Sequence, residues 1–204
     1  MPGGMAEVSG QTNAATTAAS ASAACRQYRV MSTREDLDVR VAVVDEHLRA
    51  ENRGDLDAVM ATFGQDARYE DQPWGDYRSG RDQVREYYAE LLAALPDLAI
   101  DVRHRHVSED AIVLEVEIRG THLGAWRGLP ATGRSVSLPL CGVFTFDDDN
   151  RLAGERIYYD RALILRQLGV FREPTTLAGR LTIALLHPVT LIRAYTRPAG
   201  HSRR

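Results

Sequence analysis

The side chains that could move a proton or grip a polar ligand stand in a few short stretches of this chain. Asp71 ends the stretch Ala67-Arg68-Tyr69-Glu70-Asp71, just before a turn-rich run from Gln72 to Gly80. A carboxylate so placed can serve as an acid or base, or it can simply close the turn before Pro73, a common use of Asp. His47 follows Val44 by three residues and adjoins Leu48, at the border of an apolar stripe. It is either a hydrogen-bonded core histidine or a donor aimed into a pocket. His122 sits in the glycine-rich run Gly120-Thr121-His122-Leu123-Gly124, from which a ring can reach a ligand or hold the loop through a backbone bond. Asp160 precedes Arg161 where a strand gives way to a helix, so it is a candidate carboxylate or an N-cap. Trp74, Tyr88, Trp126 and Tyr158 fall near expected walls or rims of a pocket, where they pack a core or stack on a ligand.

Metal chemistry finds less support. His104 and His106 alternate with Arg103 and Arg105 and so share a strand face, but no matching acidic or histidine cluster adjoins them in sequence. Asp147-Asp148-Asp149-Asn150 lacks the downstream Glu and the periodicity of a calcium loop, so a solvated hairpin turn is expected. No metal and no cofactor are therefore expected. All 25 basic residues are Arg, and with no Lys neither Schiff-base chemistry nor a P-loop lysine is available. The net charge of -3 recommends neither nucleic acid nor an anionic membrane as partner. Cys25 and Cys141 lie in unlike contexts, one in a polar tail and one in an expected strand, which argues against a disulfide framework or zinc knuckle and fits a reducing cytoplasm. No apolar run reaches bilayer-spanning length.

The elements that must position these residues follow from periodicity. Ser32-Thr33-Arg34-Glu35 has the pattern of a capping box, and Leu37, Val41, Val44 and Leu48 recur at helical spacing to about Asn52. Gly54 breaks this helix, and Asp55 caps a second carrying Leu56, Val59, Met60 and Phe63. A short strand follows at 67–71. A third helix then runs from about Arg81 to Leu95, ended by Pro96, with Val84, Tyr87, Tyr88 and Leu91 on its apolar side. The period then changes to two, through Leu98–Val102, Ile112–Ile118, Val136–Phe144 and Leu152–Tyr159. Three helices followed by a meander predict an α+β fold: a cone-shaped, curved antiparallel sheet wrapped around N-terminal helices, with a C-terminal helical extension. Such a sheet can leave an apolar pocket between its concave face and the helices.

Residues 54–71, from Gly54-Asp55-Leu56 to Tyr69-Glu70-Asp71, continue into Tyr77-Arg78-Ser79-Gly80-Arg81 and Val84 to Tyr88. Together they resemble the ketosteroid-isomerase and SnoaL-like polyketide-cyclase branch of the fold first known from nuclear transport factor 2. Gly120 to Gly124, Gly128 to Arg134, Tyr158-Tyr159-Asp160 and Arg166-Gln167-Leu168-Gly169 are similar to later stretches of the same group. The likeness spans roughly 33–170, in order and spacing.

The resemblance implies a general base at Asp71, the position of the isomerases' catalytic Asp. A carboxylate at the mouth of an apolar pocket can shuttle a proton between carbons next to a carbonyl when burial tunes its pKa. The family's oxyanion-donating Tyr falls at His47, which can still donate, and its strand Asp falls at Gly142, which cannot. That departure weighs against authentic steroid isomerisation. It harms a cyclase less, because an intramolecular aldol gains much of its rate from positioning. The implied activity is therefore proton transfer with cyclisation or isomerisation of an apolar carbonyl compound, such as a polyketide intermediate. Asp71 would be the base, His47 and His122 would orient or polarise the substrate, and Asp160 would be a substitute acid. Two alternatives stay open: an epoxide hydrolase combining Asp71, Asp160 and Arg156, and a non-catalytic binding or dimerisation module of the same fold.

Three regions are expected. Residues 1–30, rich in Ala, Ser and Thr, are read as disordered, without the apolar and basic parts of a secretion signal, and Met31 is an alternative start. Residues 31–170 form the SnoaL-like domain. Residues 171–204 form an apolar helical extension interrupted at Pro188 with a basic tail, expected to dock on its own domain or a partner subunit, with membrane-surface contact the lesser alternative. The resemblance also implies a homodimer, and a small apolar molecule as ligand.

Overall fold

The computed structural model describes residues 33–196, so Ser32 of the expected capping box and the segment 1–30 lie outside the described residues. Helix α1 (Arg34–Asn52) buries Val44, His47, Leu48 and Glu51, which stand at the i, i+3, i+4, i+7 spacing of one helical face. Asp55 caps α2 (Leu56–Ala61), its side chain accepting from the Ala58 amide at 3.0 Å. Phe63, expected in that helix, instead opens β1 (Phe63–Asp71). The run expected as irregular from Gln72 to Gly80 turns back on itself as a hairpin, with β2 (Asp76–Ser79) paired so that Asp71 faces Asp76.

Helix α3 (Arg81–Ala94) follows, then β3 (Ala99–Val107), β4 (Ala111–Thr121), β5 (Ser135–Phe146) and β6 (Leu152–Tyr159). The six strands form one curved sheet in the order β2-β1-β6-β5-β4-β3. Strands β3 to β6 make the expected antiparallel meander. The pairing of β1 with β6 is parallel, joining the first strand to the last across the sheet. Asp71 is thereby in register with Ile157, two residues from Tyr159.

The core lies between the concave face of the sheet and α1–α3. Phe63, Tyr88, Ile112, Leu114 and Leu152 are its largest fully buried apolar side chains. Each such burial contributes about 1.5–3 kcal/mol. On β1 the alternation turns Ala67, Tyr69 and Asp71 inward and Arg68 outward, so Asp71 is delivered to the interior by the same period that buries Tyr69.

Helix α4 (Arg161–Gln167) closes one end of the sheet, placing Ile164 and Leu168 in the core. Two further helices follow, α5 (Leu177–Leu186) and α6 (Pro188–Thr196), divided at Pro188 as its fixed φ predicts. Their apolar residues Leu177, Leu181, Leu185, Leu186, Val189 and Ile192 are exposed rather than docked on the domain. Among the described residues no helix is long and apolar enough to cross a membrane.

Candidate active site

Between sheet and helices lies a cavity of about 70 Å³. Its walls are mainly aliphatic, with Leu48 from α1, Leu91 from α3, Leu114 and Val116 from β4 and Leu138 and Leu140 from β5. A few polar groups interrupt this lining: Glu51, Glu155, His122, and the phenols of Tyr69, Tyr87 and Tyr159. An apolar chamber with a few convergent polar groups suits a small organic ligand. Gly142 also lines it, so no carboxylate projects from that point of the wall.

Behind Tyr159, and not itself part of the lining, stands Asp71, with no exposed surface. Its Oδ2 accepts from Arg127 Nη2 at 2.7 Å and from the Tyr159 hydroxyl at 3.2 Å. Its Oδ1 is buried and makes no hydrogen bond, the nearby Trp74 amide being spent on the Asp71 carbonyl at 3.2 Å. Burial pushes the Asp71 carboxyl above the usual carboxylate range, against the opposing pull of Arg127 and the Tyr159 hydrogen bond. Tyr159 itself is driven upward by burial and by the adjacent Asp71 charge, so it remains a phenol and a donor.

Arg127 comes from a tight two-residue turn in which Trp126 and Leu129 exchange backbone hydrogen bonds, each 2.9 Å. Both central residues have positive φ, 52° at Arg127 and 78° at Gly128, as a type I′ turn requires. Arg127 is a bulky residue in a left-handed conformation, a strain sustained here by what its side chain touches. Besides Asp71 it pairs with Asp76, and its guanidinium lies over the rings of Trp74 (5.4 Å), Tyr87 (5.5 Å) and Trp126 (5.7 Å).

His122 sits at the cavity wall, held by Thr132. The Thr132 amide donates to Nδ1 at 3.3 Å, and the Thr132 hydroxyl lies 3.0 Å from the same nitrogen. An Nδ1 that accepts an N–H leaves the ring proton on Nε2. That Nε2 is buried without a partner. His122 therefore offers an unused N–H at the wall of an apolar chamber. Trp74 Nε1 and Arg127 Nε are buried and unpartnered as well, so the four buried side-chain atoms lacking a partner among the described residues are one carboxylate oxygen and three N–H donors.

His47 is fully buried but does not line the cavity. Its Nδ1 lies 2.9 Å from Thr62 Oγ1, whose own proton goes to the Val59 carbonyl at 2.7 Å, so Nδ1 is the donor. Its Nε2 faces Glu51 Oε1 at 2.7 Å, Glu155 Oε2 at 3.3 Å and the Tyr88 hydroxyl at 3.1 Å. Tyr88 donates in turn to Glu155. Burial alone would lower the His47 pKa, but the Glu51 and Glu155 carboxylates outweigh it and push it up to about 10. Glu51 is raised by burial, with His47 pulling the other way.

The residues singled out from sequence thus fall into three groups. Asp71, Trp74 and Trp126 surround Arg127, while Trp126 and His122 line the cavity and Asp71 does not. His47 and Tyr88 share a separate buried network with the two glutamates. Asp160 and Tyr158 join neither. Asp160 is the N-cap of α4, accepting from the Ala162 and Leu163 amides at 2.8 and 3.1 Å, and Tyr158 points outward, largely exposed. Arg156 pairs with Glu70 on the outer face at 2.6 Å, so Asp71, Asp160 and Arg156 are not assembled as one site. His104 and His106 are exposed on the edge strand β3.

Sequence reading missed Glu51, Glu155, Tyr159, Asp76 and Arg127. The signals existed for three of them. Glu51 is four residues after His47 on the same helical face, and Glu155 and Tyr159 alternate with the buried Ile157 along β6. Arg127 had no such signal, since only the fold of its turn brings it to Asp71.

Comparison with known proteins agrees with this architecture. The family description "SnoaL-like polyketide cyclase" matches residues 41–168. A candidate SnoaL-like polyketide cyclase from Jannaschia sp. CCS1 superposes with a TM-score of 0.62 at 19% identity, covering 69% of this chain and 99% of that one. IdmH, a candidate polyketide cyclase from Streptomyces antibioticus, gives 0.54 at 23% identity, covering 64% and 99%. SalBIII, an epoxide hydrolase/cyclase-like enzyme of pyran ring formation in the polyether salinomycin, gives 0.53 at 24% identity, covering 61% and 92%. At these identities the structural likeness shows the shared fold. The family match, which covers more than half of the chain, shows the rest: this protein belongs to the SnoaL-like polyketide cyclase family.

Proposed function

We propose that the protein is an acid-base enzyme that takes an α-proton from a small apolar carbonyl compound and then isomerises or cyclises it. The observation that carries this reading is the set of unpartnered buried atoms: a carboxylate oxygen on Asp71, and N–H donors including His122 Nε2 at the wall of an apolar cavity. A ligand that presents a carbonyl oxygen to His122 Nε2 satisfies a donor that otherwise bears the cost of burial, and its acidic C–H can then face Tyr159, which joins the chamber to Asp71. Asp71 lies behind Tyr159, which lines the cavity and bonds its carboxylate, so the phenol sets the carboxyl's orientation and reports its charge to the chamber.

In the reaction, the Tyr159 oxygen takes the α-proton as the phenol passes its own proton to Asp71, the base behind it, while His122 Nε2–H holds the enolate oxygen. Returning the proton to another carbon gives an isomer. Attack of the enolate carbon on a second carbonyl of the same molecule gives a ring, with the proton delivered to the new alkoxide. The raised Asp71 pKa makes it a better base than an exposed carboxylate.

The test is deuterium exchange from solvent into a panel of small apolar ketones and 1,3-diketones, followed by NMR. The wild-type protein is expected to accelerate exchange, and Asp71→Asn to lower the rate about 10²–10⁴-fold. The rate should rise with pH through the raised Asp71 pKa, because only the carboxylate is the base. Exchange that is unchanged in Asp71→Asn overturns the assignment, and saturable ligand binding without exchange identifies a binding module instead.

One observation favours a second reading. Arg127 stands between Asp71 and Asp76, a carboxylate–guanidinium–carboxylate set that could activate water against an epoxide, the chemistry named for SalBIII. Hydrolysis of apolar epoxides that is lost in Asp71→Asn, with no ketone exchange in the wild type, selects this reading.

A further inference from the structure

The buried network of His47, Glu51 and Glu155 plays no part in the reaction just described, and its construction asks for a different ligand. Nε2 of His47 and one oxygen from each glutamate all lie within 4.8 Å of one another. All three residues are buried, and two of them, Glu51 and Glu155, also line the cavity. We infer that His47, Glu51 and Glu155 form a binding site for one divalent first-row transition metal ion, with its remaining coordination positions open towards the apolar chamber.

Four features of the molecule support this. First, the separations of 2.7 Å (His47 to Glu51) and 3.3 Å (His47 to Glu155) bracket the ~3.0 Å between neighbouring donors around an ion bound at about 2.1 Å. Second, the histidine is already committed at its other nitrogen. Nδ1 donates to Thr62, and Thr62 is locked by donating to the Val59 carbonyl, so Nε2 is the nitrogen turned to the carboxylates. Metal-ligating histidines are held in this way, by an outer partner on the nitrogen that does not bind.

Third, among the described residues neither glutamate pairs with a guanidinium, so no arginine fills the space where the two carboxylates and the imidazole converge. Fourth, Tyr88 donates to Glu155 Oε2, and its hydroxyl lies 3.1 Å from His47 Nε2, so it holds that carboxylate beside the imidazole. One nitrogen and two carboxylates form a mixed donor set suited to Zn²⁺, Mn²⁺, Fe²⁺ or Co²⁺, with soft thiolate-selected ions disfavoured. The exposed pair His104 and His106 offers no comparable enclosure.

The experiment uses the full chain after chelator treatment, titrated at constant pH with Co²⁺ followed by visible absorbance, and with Zn²⁺ followed by calorimetry. One equivalent is expected to bind per chain, with d–d bands for Co²⁺ and an upward shift of Tm for Zn²⁺. Glu51→Gln and Glu155→Gln, checked for folding by circular dichroism, should each weaken binding at least tenfold. Thr62→Val, which leaves the three ligands in place, should weaken it about 10–100-fold. His104→Ala/His106→Ala should change nothing. Failure of the wild-type protein to bind either ion overturns the inference without requiring any variant. Stoichiometric binding that survives both glutamate substitutions in folded protein also overturns it, by placing the ion elsewhere. Asp71→Asn should keep the metal and lose ketone exchange, so the two proposals fail separately.

Discussion

Removing the Arg127 guanidinium is the sharpest test of how the cavity wall is held together. Asp71 is wholly buried, and the Arg127 side chain that pairs with it at 2.7 Å is only 12% exposed. Solvent therefore screens the pair weakly, and Arg127→Ala leaves a carboxylate with the Tyr159 hydroxyl as its remaining side-chain donor. Breaking a buried pair by deleting one partner costs about 3–5 kcal/mol. For a domain of this size about 1 kcal/mol shifts Tm by roughly 2–4 °C, so a fall on the order of 10 °C is expected at pH 8. Arg127→Gly should recover roughly 1 kcal/mol of that loss, because the residue sits at a φ of 52° that glycine adopts freely.

The pH dependence has a definite sign. Burial already raises the Asp71 pKa with Arg127 present, and loss of the guanidinium raises it further. Above that raised pKa the variant carries a bare buried charge and the full penalty. As pH falls through it, the carboxyl takes a proton and the gap to wild type closes. The assay is urea unfolding of wild type, Arg127→Ala, Asp71→Asn and the double variant at pH 8 and pH 5. The double variant should be more stable at pH 8 than Arg127→Ala alone, with a coupling energy above about 1 kcal/mol. A single-variant cost below ~1 kcal/mol with no coupling would show that water reaches the pair and would refute the reasoning.

Two further outcomes test the frame around the site. Gly124→Ala should destabilise the protein by about 1–3 kcal/mol in thermal unfolding, because an added Cβ would overlap the Ala93 backbone carbonyl, which has no freedom to move aside. Asp160→Ala should cost about 0.5–2 kcal/mol, as loss of an N-cap does, and leave ketone exchange at the wild-type rate; a large fall in rate with unchanged stability would give Asp160 a chemical role.

Legibility varied from residue to residue in ways that follow from range. Asp71 was readable from its place before the turn and from the family resemblance, and the strand's parity then sets it on the face of Ala67 and Tyr69. Tyr158 was chosen over Tyr159 although the same parity, counted from Ile157, sends Tyr159 inward and Tyr158 out. An error of one residue in a period of two exchanges the faces completely. His47 was noticed as a histidine beside an apolar stripe, yet Glu51, one turn later on that stripe, was passed over because a charged residue is expected to face solvent. The β2 hairpin was missed since its four residues carry no apolar alternation, and it forms only because β1 offers an edge.

What local pattern determined by itself were the helices, the strands of the meander and the α+β class. These depend on residues a few positions apart, where the 3.6 and 2.0 periods and the capping groups act directly. Tertiary structure alone decided that β1 pairs with β6 in parallel, that Arg127 reaches Asp71 from 56 residues away, and that Glu155 meets His47 across 108. Those contacts are set by how a twisted sheet curves over its helices, and by which buried charges find one another once water has been excluded. Neither has a period that can be read along the chain.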